Sequence, residues 1–191
     1  MEPEEIRMRK VVASEFVSLD GVAESPDRWQ LPYFSDEMGE AVGAAMAASD
    51  AMLLGRVTYQ EFESYFPGVS SEDQPFADYM NDTPKFVVST TLEEPLGWKN
   101  ATLIKDNVAE EITRLKQQPG KDIGISGSIA LVQSLLRENL LDELRLMIHP
   151  VVVGNGKRLF ENVGDQKALE LVDSKTFGTG VLYLTYQPAH N

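Results

Sequence analysis

The chain has 191 residues, of which 42% are hydrophobic and 25% charged, and this composition predicts a single globular domain over 1–191 with a hydrophobic core. Its formal charge of −13 argues against nucleic acid as a partner, because an acidic surface repels phosphate backbones. The chain has no cysteine for disulfides, thiolate catalysis or metal thiolates, and no apolar run of membrane-spanning length, so we expect a cytoplasmic protein without a membrane partner.

The first elements follow an acidic and then basic start, which we expect to be a flexible tail over 1–8. Residues 9–16 form an apolar run that predicts a strand, and 22–34 is predicted to be a loop. A helix is expected after Ser35, a favoured N-cap residue. Its apolar face is marked by residues at offsets of three and four, namely Met38, Ala41, Val42, Ala45 and Met46.

The middle of the chain continues this alternation. Short apolar runs predict strands at 51–54, 85–89 and 101–105. The pattern over 58–66 predicts a helix that Thr58 could cap, and 69–83 is expected to be a loop with one helical turn.

The next predicted elements are a helix over 108–117 capped by Asn107, a strand over 123–126 and a helix over 129–138. Residues 143–153 then predict a long strand.

The last two apolar runs, 168–177 and 181–186, flank glycines and predict a hairpin. Strands alternate with helices up to that hairpin. The sequence therefore predicts an α/β protein with a mixed, mostly parallel central sheet, helices on both faces and a C-terminal antiparallel hairpin.

Three predicted strand ends carry residues suited to phosphate. They are Gly55-Arg56 with Thr58, Ser89-Thr90-Thr91 and Ser126-Gly127-Ser128. Ligands of open α/β sheets bind at the carboxyl ends of strands, where a helix N-terminus adds partial positive charge. Each stretch could equally be ordinary turn chemistry, and none matches a Walker A loop or a spaced G-x-G-x-x-G.

Asp20 lies in a loop after the first predicted strand and offers a carboxylate that could bind a polar heterocycle or relay a proton. The alternative is an Asp-Gly turn. His149 and His190 have no partners in sequence that suggest a triad or a metal site, so no metal is expected.

The order of five segments along the chain resembles that of the dihydrofolate reductase-like superfamily, with the RibD C-terminal reductase type and its stand-alone relatives nearest. The segments are FVSLDGV, DAMLLGRVTYQEF, PKFVVSTTL, DIGISGSIALVQSLL and DELRLMIHPVVVGNGKRLF. The resemblance covers roughly 11–186. It implies a three-layer fold of that superfamily and an NADPH cofactor bound across the strand ends.

The resemblance also implies roles for individual residues. Asp20 matches the acid of an SLDG motif that faces the substrate, which makes it the catalytic candidate, and Trp29 and Phe34 are expected to line the substrate pocket. The positions that match cofactor contacts are Ala13, Leu54, Gly55, Arg56, Thr58, Ser89, Thr90, Ser126, Gly127, Ser128 and Ile129.

The chain departs from true dihydrofolate reductases at one position. Those enzymes carry an acid shortly after a Trp-x-Leu-Pro segment, whereas here Phe34 occupies that position and the nearest acids are Asp36 and Glu37. We therefore predict an NADPH-dependent reductase of a small pteridine- or pyrimidine-like heterocycle. The alternatives are a non-catalytic nucleotide-binding or regulatory protein of the same fold, and a homodimeric scaffold paired through the apolar strand around 147–153.

Overall fold

The computed structural model describes residues 8–161 and 163–189, and its centre is one eight-stranded sheet. The strands are β1 (Val11–Ser18), β2 (Ser49–Gly55), β3 (Lys85–Val88), β4 (Ala101–Ile104), β5 (Asp122–Ser126), β6 (Glu143–His149), β7 (Leu169–Thr176) and β8 (Leu182–Pro188). The α-helices are α1 (Asp36–Ala47), α2 (Arg56–Tyr65), α3 (Ala77–Asp82), α4 (Val108–Gln117) and α5 (Ile129–Arg137).

The strand order across the sheet is β4-β3-β2-β5-β1-β6-β8-β7. All pairings are parallel up to β6, and β8 then pairs antiparallel with both β6 and β7. The predicted mixed sheet with a C-terminal antiparallel hairpin is therefore confirmed. Because β5 inserts between β2 and β1, a cleft opens at the carboxyl end of β5 and β1, which is the position where ligands of such sheets bind.

Both faces of the sheet are covered by helices, as the alternation of side chains along β1 shows. Val11, Ala13 and Val17 pack with residues of α4 and α5 on one face. Phe16 points to the opposite face, where it packs with Met38 of α1. The helices α2 and α3 lie on that second face too, against β2 and β3.

The helix starts confirm one predicted cap and correct two others. Ser35 accepts a hydrogen bond from the Met38 N–H, as a side-chain N-cap does. Asn107 occupies the N-cap position of α4 without a side-chain cap bond. The prediction that Thr58 caps α2 is wrong, because the helix begins at Arg56 and Gly55 is its N-cap.

Two further boundaries differ from the prediction. The strand predicted over 143–153 ends at His149, because Pro150 has no backbone N–H with which to continue the sheet. The stretch 69–83 contains the helix α3 rather than a single turn.

The apolar strand around Met147 is part of the core rather than a free surface. Met147 is buried, and β6 is flanked by β1 and β8. Among the large hydrophobic residues of 147–153, Val152 is the exposed one, and it lies beyond the end of β6. The strand β6 therefore offers no free apolar surface for a partner, and the homodimer stays a prediction. Of the tail expected over 1–8, residues 1–7 lie outside the described residues, as does His190. Within the described part of the chain, no helix has the length and apolar character needed to cross a bilayer.

Candidate active site

The glycine corners at the ends of β2 and β5 touch each other. These two strands are neighbours, so Gly55 and Gly127 meet at the carboxyl edge of the sheet. A β-carbon at Gly55 would lie 3.1 Å from the β-carbon of Ser128, and one at Gly127 would lie 3.3 Å from Cγ2 of Thr58. Two of the three predicted phosphate stretches are therefore brought together in one site.

The backbone of the β5 corner has an unusual conformation. Gly127 and Ser128 have φ angles of 79° and 70°, which place two successive residues in the left-handed region. Ser128 then becomes the N-cap of α5 without using its side chain as a cap. Because the first N–H groups of a helix lack intrahelical acceptors, the starts of α2 and α5 both offer donors to an anion here.

Arg56 adds a positive charge beside these donors. Its side chain is exposed at the start of α2 and donates a hydrogen bond to Gln60 at 3.2 Å. It forms no ion pair with a carboxylate among the described residues, so it is available to a phosphate. Ser126 is exposed at the same edge, whereas Thr58 is almost fully buried between the two corners. The site is thus locally positive on a chain whose net charge is −13.

The third predicted stretch lies one strand farther along the edge, at the end of β3. Ser89 is buried, and its Oγ accepts hydrogen bonds from the N–H groups of Thr91 and Leu92 at 3.2 and 3.1 Å. Ser89 therefore shapes the loop, while Thr90 is exposed at its surface. Since β3 lies beside β2, a ligand that spans both corners could reach Thr90.

Three of the predicted cofactor residues point into the core. Ala13 and Leu54 are fully buried, and Ile129 packs on the same core cluster as Ala13. Ala13 has no surface for a ligand, so the structure does not support the predicted contact at this strand position. Leu54 and Ile129 could contribute only through their backbone atoms.

An apolar cavity of about 260 Å³ lies beside this edge, between the sheet, α1 and the segment around α3. Its floor is formed by β1, β5 and β6, and its wall includes Phe62 and Phe66 of α2. The ionisable residues that border it are Glu15, Tyr79, Arg145 and Tyr183. Glu15 borders the cavity as a residue of β1, but the alternation of the strand directs its side chain to the other face of the sheet, with Ala13 and Val17.

Glu15 shares the face of β1 that packs against α4 and α5, and it lies beside the Gly127 corner. It is 5% exposed, and the Gly127 N–H donates a hydrogen bond to its carboxyl group. Its Oε1 atom is buried and has no hydrogen-bond partner among the described residues. Burial raises the pKa of Glu15 to about 8, which outweighs the lowering effect of the Gly127 N–H. The group is therefore a neutral acid around neutral pH.

Asp20 lies in a set of hydrogen bonds that fixes its own loop. Its carboxylate accepts hydrogen bonds from the Ser18 hydroxyl at 2.6 Å and from the N–H groups of Val153 and Gly154 at 3.0 and 2.8 Å. The same three groups, with the Ser18 hydroxyl foremost, lower the pKa of Asp20 to about 2. Asp20 is not among the residues lining the cavity. The carboxylate is ionised at neutral pH and holds its loop to residues 153–154, and its predicted role at the substrate stays a prediction.

Trp29 and Phe34 also do not line the cavity, in contrast to the prediction. Trp29 packs edge-on against the buried His149 with ring centroids 5.2 Å apart, and its indole N–H donates to the Glu24 carbonyl. Phe34 is 51% exposed. Trp29 ends a short 3₁₀ turn over Pro26–Arg28 that begins after the left-handed Ser25, and Phe34 ends a second one over Leu31–Tyr33.

The acids nearest to Phe34 in sequence are not at the cavity either. Glu37 accepts a hydrogen bond from the Gly178 N–H at 2.8 Å and pairs with Lys175, which ties α1 to the terminal hairpin. Asp36 is exposed in the first turn of α1. In the described ranges, 8–161 and 163–189, no three acidic or histidine side chains are grouped as metal ligands.

Two charged residues that border the cavity, Glu15 and Arg145, were not predicted from the sequence. Arg145 forms a salt bridge of 2.6 Å with Glu143 on the same strand. Glu15 carried a usable signal, because it stands between Ala13 and Val17 on the buried face of β1, where a charged residue is rare. Arg145 lies within a longer apolar stretch, and sequence alone gives no indication that it faces a cavity.

The chain resembles known proteins over almost its whole length. Residues 9–183 match the profile of the RibD C-terminal domain family. YyaP, an uncharacterized protein of Bacillus subtilis, is 32% identical over 186 residues, which cover 95% of this chain and 96% of YyaP.

Two solved structures share the fold. A pyrimidine reductase-like protein from Corynebacterium diphtheriae superposes with a TM-score of 0.69 at 14% identity, over 97% of this chain and 94% of that one. Dihydrofolate reductase from Enterococcus faecalis, solved with NADP(H), gives a TM-score of 0.64 at 14% identity, over 95% and 97% of the two chains. The predicted three-layer fold of the dihydrofolate reductase-like superfamily is thereby confirmed.

Proposed function

Because the chain belongs to the RibD C-terminal domain family, we propose that it is a reductase that transfers a hydride from NADPH to a small pyrimidine- or pteridine-like heterocycle. The observation that carries the proposal is the contact between the Gly55 and Gly127 corners beside an apolar cavity. Two helix starts and the Arg56 guanidinium, which has no carboxylate partner among the described residues, meet at one end of the cleft, and the cavity lies at the other.

The residues present fit a dinucleotide phosphate. Gly55 and Gly127 allow a ligand to approach the backbone closely, and the first turns of α2 and α5 present N–H donors from opposite faces of the sheet. Arg56 would pair with a phosphate of the dinucleotide. Thr90 would contact the part of the dinucleotide that extends past β3. NADPH, when bound, supplies the hydride.

The cavity suits a flat, mostly apolar ring with a few polar atoms. Its aromatic side chains include Phe16, Phe62 and Phe76, which can cover ring faces, while Arg145 and Tyr183 can bind polar edges. The pyrimidine reductase-like protein and the dihydrofolate reductase of the same fold support a heterocyclic substrate of this class.

The experiment that tests this function is a calorimetric titration of NADPH and NADH against the wild type, Arg56→Ala and Arg114→Ala. Arg114 is a matched control, because it is an exposed arginine near the end of α4 that pairs with Glu111. We expect NADPH to bind the wild type, Arg56→Ala to weaken that binding about tenfold or more, and Arg114→Ala to leave it unchanged. Absence of binding by either nucleotide would overturn the proposal.

Turnover is tested next, by following NADPH oxidation with a panel of pyrimidine and pteridine compounds. Oxidation that depends on the added compound supports the reductase. Tight NADPH binding with no oxidation across the panel would favour the alternative, a nucleotide-binding protein of the same fold that does not reduce a substrate.

A further inference from the structure

The charges around the cavity limit the class of molecule that can bind in it. We propose that the substrate is an uncharged heterocycle without a phosphate or carboxylate group, and that Glu143 enforces this selectivity by neutralising Arg145. The Arg145 guanidinium is the one basic side chain among the described residues that line the cavity. This inference rests on the proposed function, because it names the substrate class of the same site.

The position of Arg145 follows from the register of the sheet. Val12 and Ser14 of β1 line the cavity, and Arg145 pairs with Ser14 on the neighbouring strand β6. Residues paired across adjacent strands point to the same face, so the Arg145 side chain lies on the cavity face. Tyr183 of β8 pairs with Met147, two residues beyond Arg145, and shares this face. Register and lining thus agree that both polar side chains reach the cavity.

Glu143 holds the Arg145 guanidinium from outside the cavity. Its Oε1 atom accepts from Nε of Arg145 at 2.7 Å and lies 2.6 Å from Nη2, so one carboxylate oxygen meets two guanidinium nitrogens. The other oxygen of Glu143 accepts from Lys10 and Gln187 at 3.4 and 3.2 Å. The Arg145 and Glu143 side chains are 20% and 8% exposed, so water and salt screen the pair only weakly. The positive charge of Arg145 is therefore compensated before a ligand enters.

Two further charges near this pair offset each other. The Lys10 ammonium contacts Glu143, but it is 38% exposed and is not among the residues that line the cavity. Burial raises the pKa of Tyr183, and the Asp173 carboxylate on β7 adds to this increase, which places a negative charge near the phenol. The charges of Arg145 and Lys10 are thus balanced by those of Glu143 and Asp173.

The walls of the cavity, as far as the described residues form them, contain no basic side chain. They come from α1, β2, α2, α3 and the loop before α3, which all lie within residues 29–84. That segment contains ten Asp and Glu residues and one basic residue, Arg56, which lies at the Gly55 corner. An anionic substituent would leave water for a mostly apolar space between acidic elements, without a cation to pair with, which is costly.

The size and the polar groups of the cavity suit a small uncharged ring system. Its volume of about 260 Å³ is below the roughly 300–1,000 Å³ of pockets for drug-sized ligands, so one or two fused rings fill it. Pyrimidine and pteridine rings carry carbonyl oxygens and ring nitrogens that accept hydrogen bonds. The Arg145 guanidinium and the Tyr183 phenol, which are hydrogen-bond partners of each other, can donate to such atoms without a negative charge on the ligand.

The test compares two probes that have nearly the same shape and differ by one negative charge. The 6-carboxamide of pterin is uncharged at pH 7, whereas the 6-carboxylate of pterin is an anion. We would titrate each probe into the nucleotide-free wild type, follow binding by pterin fluorescence, and repeat both titrations with saturating NADP⁺. We expect the carboxamide to bind about tenfold or more tightly than the carboxylate, because the cavity gives the carboxylate no unpaired cation.

The variants show whether Glu143 sets this selectivity through Arg145. Glu143→Gln releases the guanidinium from its carboxylate and should shift the ratio of the two Kd values about tenfold or more toward the anionic probe. A loss of stability alone would weaken both probes and leave the ratio unchanged. Adding Arg145→Gln to Glu143→Gln should cancel the shift. The matched control is Asp142→Asn, which removes a neighbouring carboxylate that pairs with Lys116 of α4 and should keep the wild-type ratio.

The outcomes distinguish this inference from the proposed function. A wild type that binds the carboxylate as tightly as the carboxamide, or binds neither probe, overturns the inference, while the reductase is tested separately by the titration of NADPH against Arg56→Ala. A folded Glu143→Gln with the wild-type ratio also overturns it. Should Glu143→Gln not fold, Arg145→Gln alone decides the question. It leaves Glu143 without its main cation, so the ratio should shift further against the carboxylate, and an unchanged ratio would overturn the inference.

Discussion

A β-carbon added to Gly55 would overlap the hydroxyl group of Ser128. The two residues belong to different strand ends, β2 and β5, whose loops lead to helices on opposite faces of the sheet. The absence of a side chain at position 55 is thus what allows the two helix starts to stand side by side.

We expect Gly55→Ala to weaken NADPH binding by about tenfold or more, because the added methyl group must displace the Ser128 corner. The backbone of Gly55 has a φ of −83°, which alanine adopts readily, so any loss comes from the contact and not from strain. Calorimetric titration measures the effect. The matched control is Gly39→Ala in α1, where the nearest atom to the new methyl is 3.6 Å away. That variant should bind normally and gain about 1 kcal/mol of helix stability.

Asp20→Asn should lower the melting temperature by several degrees at pH 7 and leave NADPH binding intact. An amide at this position can no longer accept from the Ser18 hydroxyl and from both the Val153 and Gly154 N–H groups. The folded-state pKa of Asp20 is about 2, below its ordinary value of 3.8, so the carboxylate stabilises the fold above pH 3.8 and loses this effect as the pH falls through 2. Thermal melts at pH 7 and near pH 2 should therefore show a difference that disappears in acid. Loss of NADPH binding at pH 7 in a folded variant would return Asp20 to the site.

Lys85→Met should destabilise the protein by about 2–4 kcal/mol. The Lys85 ammonium is completely buried, and it donates to the carbonyl groups of Asn81, Thr83 and Lys99 at 3.1, 2.8 and 3.3 Å. It also lies 4.2 Å from the centre of the Trp98 ring. Methionine matches its length but leaves all three carbonyl oxygens without this donor, and urea unfolding measures the loss.

The control for Lys85→Met is Lys99→Met, which removes an exposed ammonium that pairs with Asp82 at 2.7 Å. An exposed ion pair contributes little, so we expect a change below about 1 kcal/mol. If both substitutions lower the free energy of unfolding equally, the hydrogen bonds of Lys85 to the three buried carbonyl groups do not stabilise the fold as expected.

Most of the fold could be predicted because its signals are local. The helix start at Ser35, the apolar periods of α1 and α4 and the glycines of the terminal hairpin each act within a few residues. The insertion of β5 between β2 and β1 could not be predicted in this way, because strand order depends on contacts between residues about 70–110 positions apart. The corners at Gly55 and Gly127 were individually visible, but their contact follows from that order.

The candidate site was less predictable where a side chain has distant partners. The Asp20 carboxylate is fixed by Val153 and Gly154, more than 130 positions away, and Trp29 by His149. A resemblance to a motif gives the residue type but not these partners, so both were placed at the substrate. Glu15 shows the opposite case, since its place on the buried face of β1 could have been read from the alternation along the strand.

The contribution of Glu15 to the stability of the wild type should fall as the pH rises from about 4.5 to about 8. The ordinary pKa of the group is 4.5, and burial raises it to about 8 in the folded protein. Between these values the folded state holds a proton that the unfolded state releases, so each pH unit costs up to about 1.4 kcal/mol, and the total is on the order of a few kcal/mol. Glu15→Gln removes this titration. The variant should therefore gain stability relative to the wild type as the pH rises, up to about pH 8, and no further above it.

Urea unfolding of the nucleotide-free protein at pH 5, 6.5, 8 and 9 measures this difference. Glu143→Gln is the contrasting control: burial raises the pKa of Glu143, but the Arg145 guanidinium outweighs it and holds the pKa below its ordinary value. That carboxylate stabilises the fold above its ordinary pKa, so its replacement should cost stability throughout the measured range. A wild type that instead loses stability relative to Glu15→Gln as the pH falls would mean that Glu15 is ionised and paired in the folded protein.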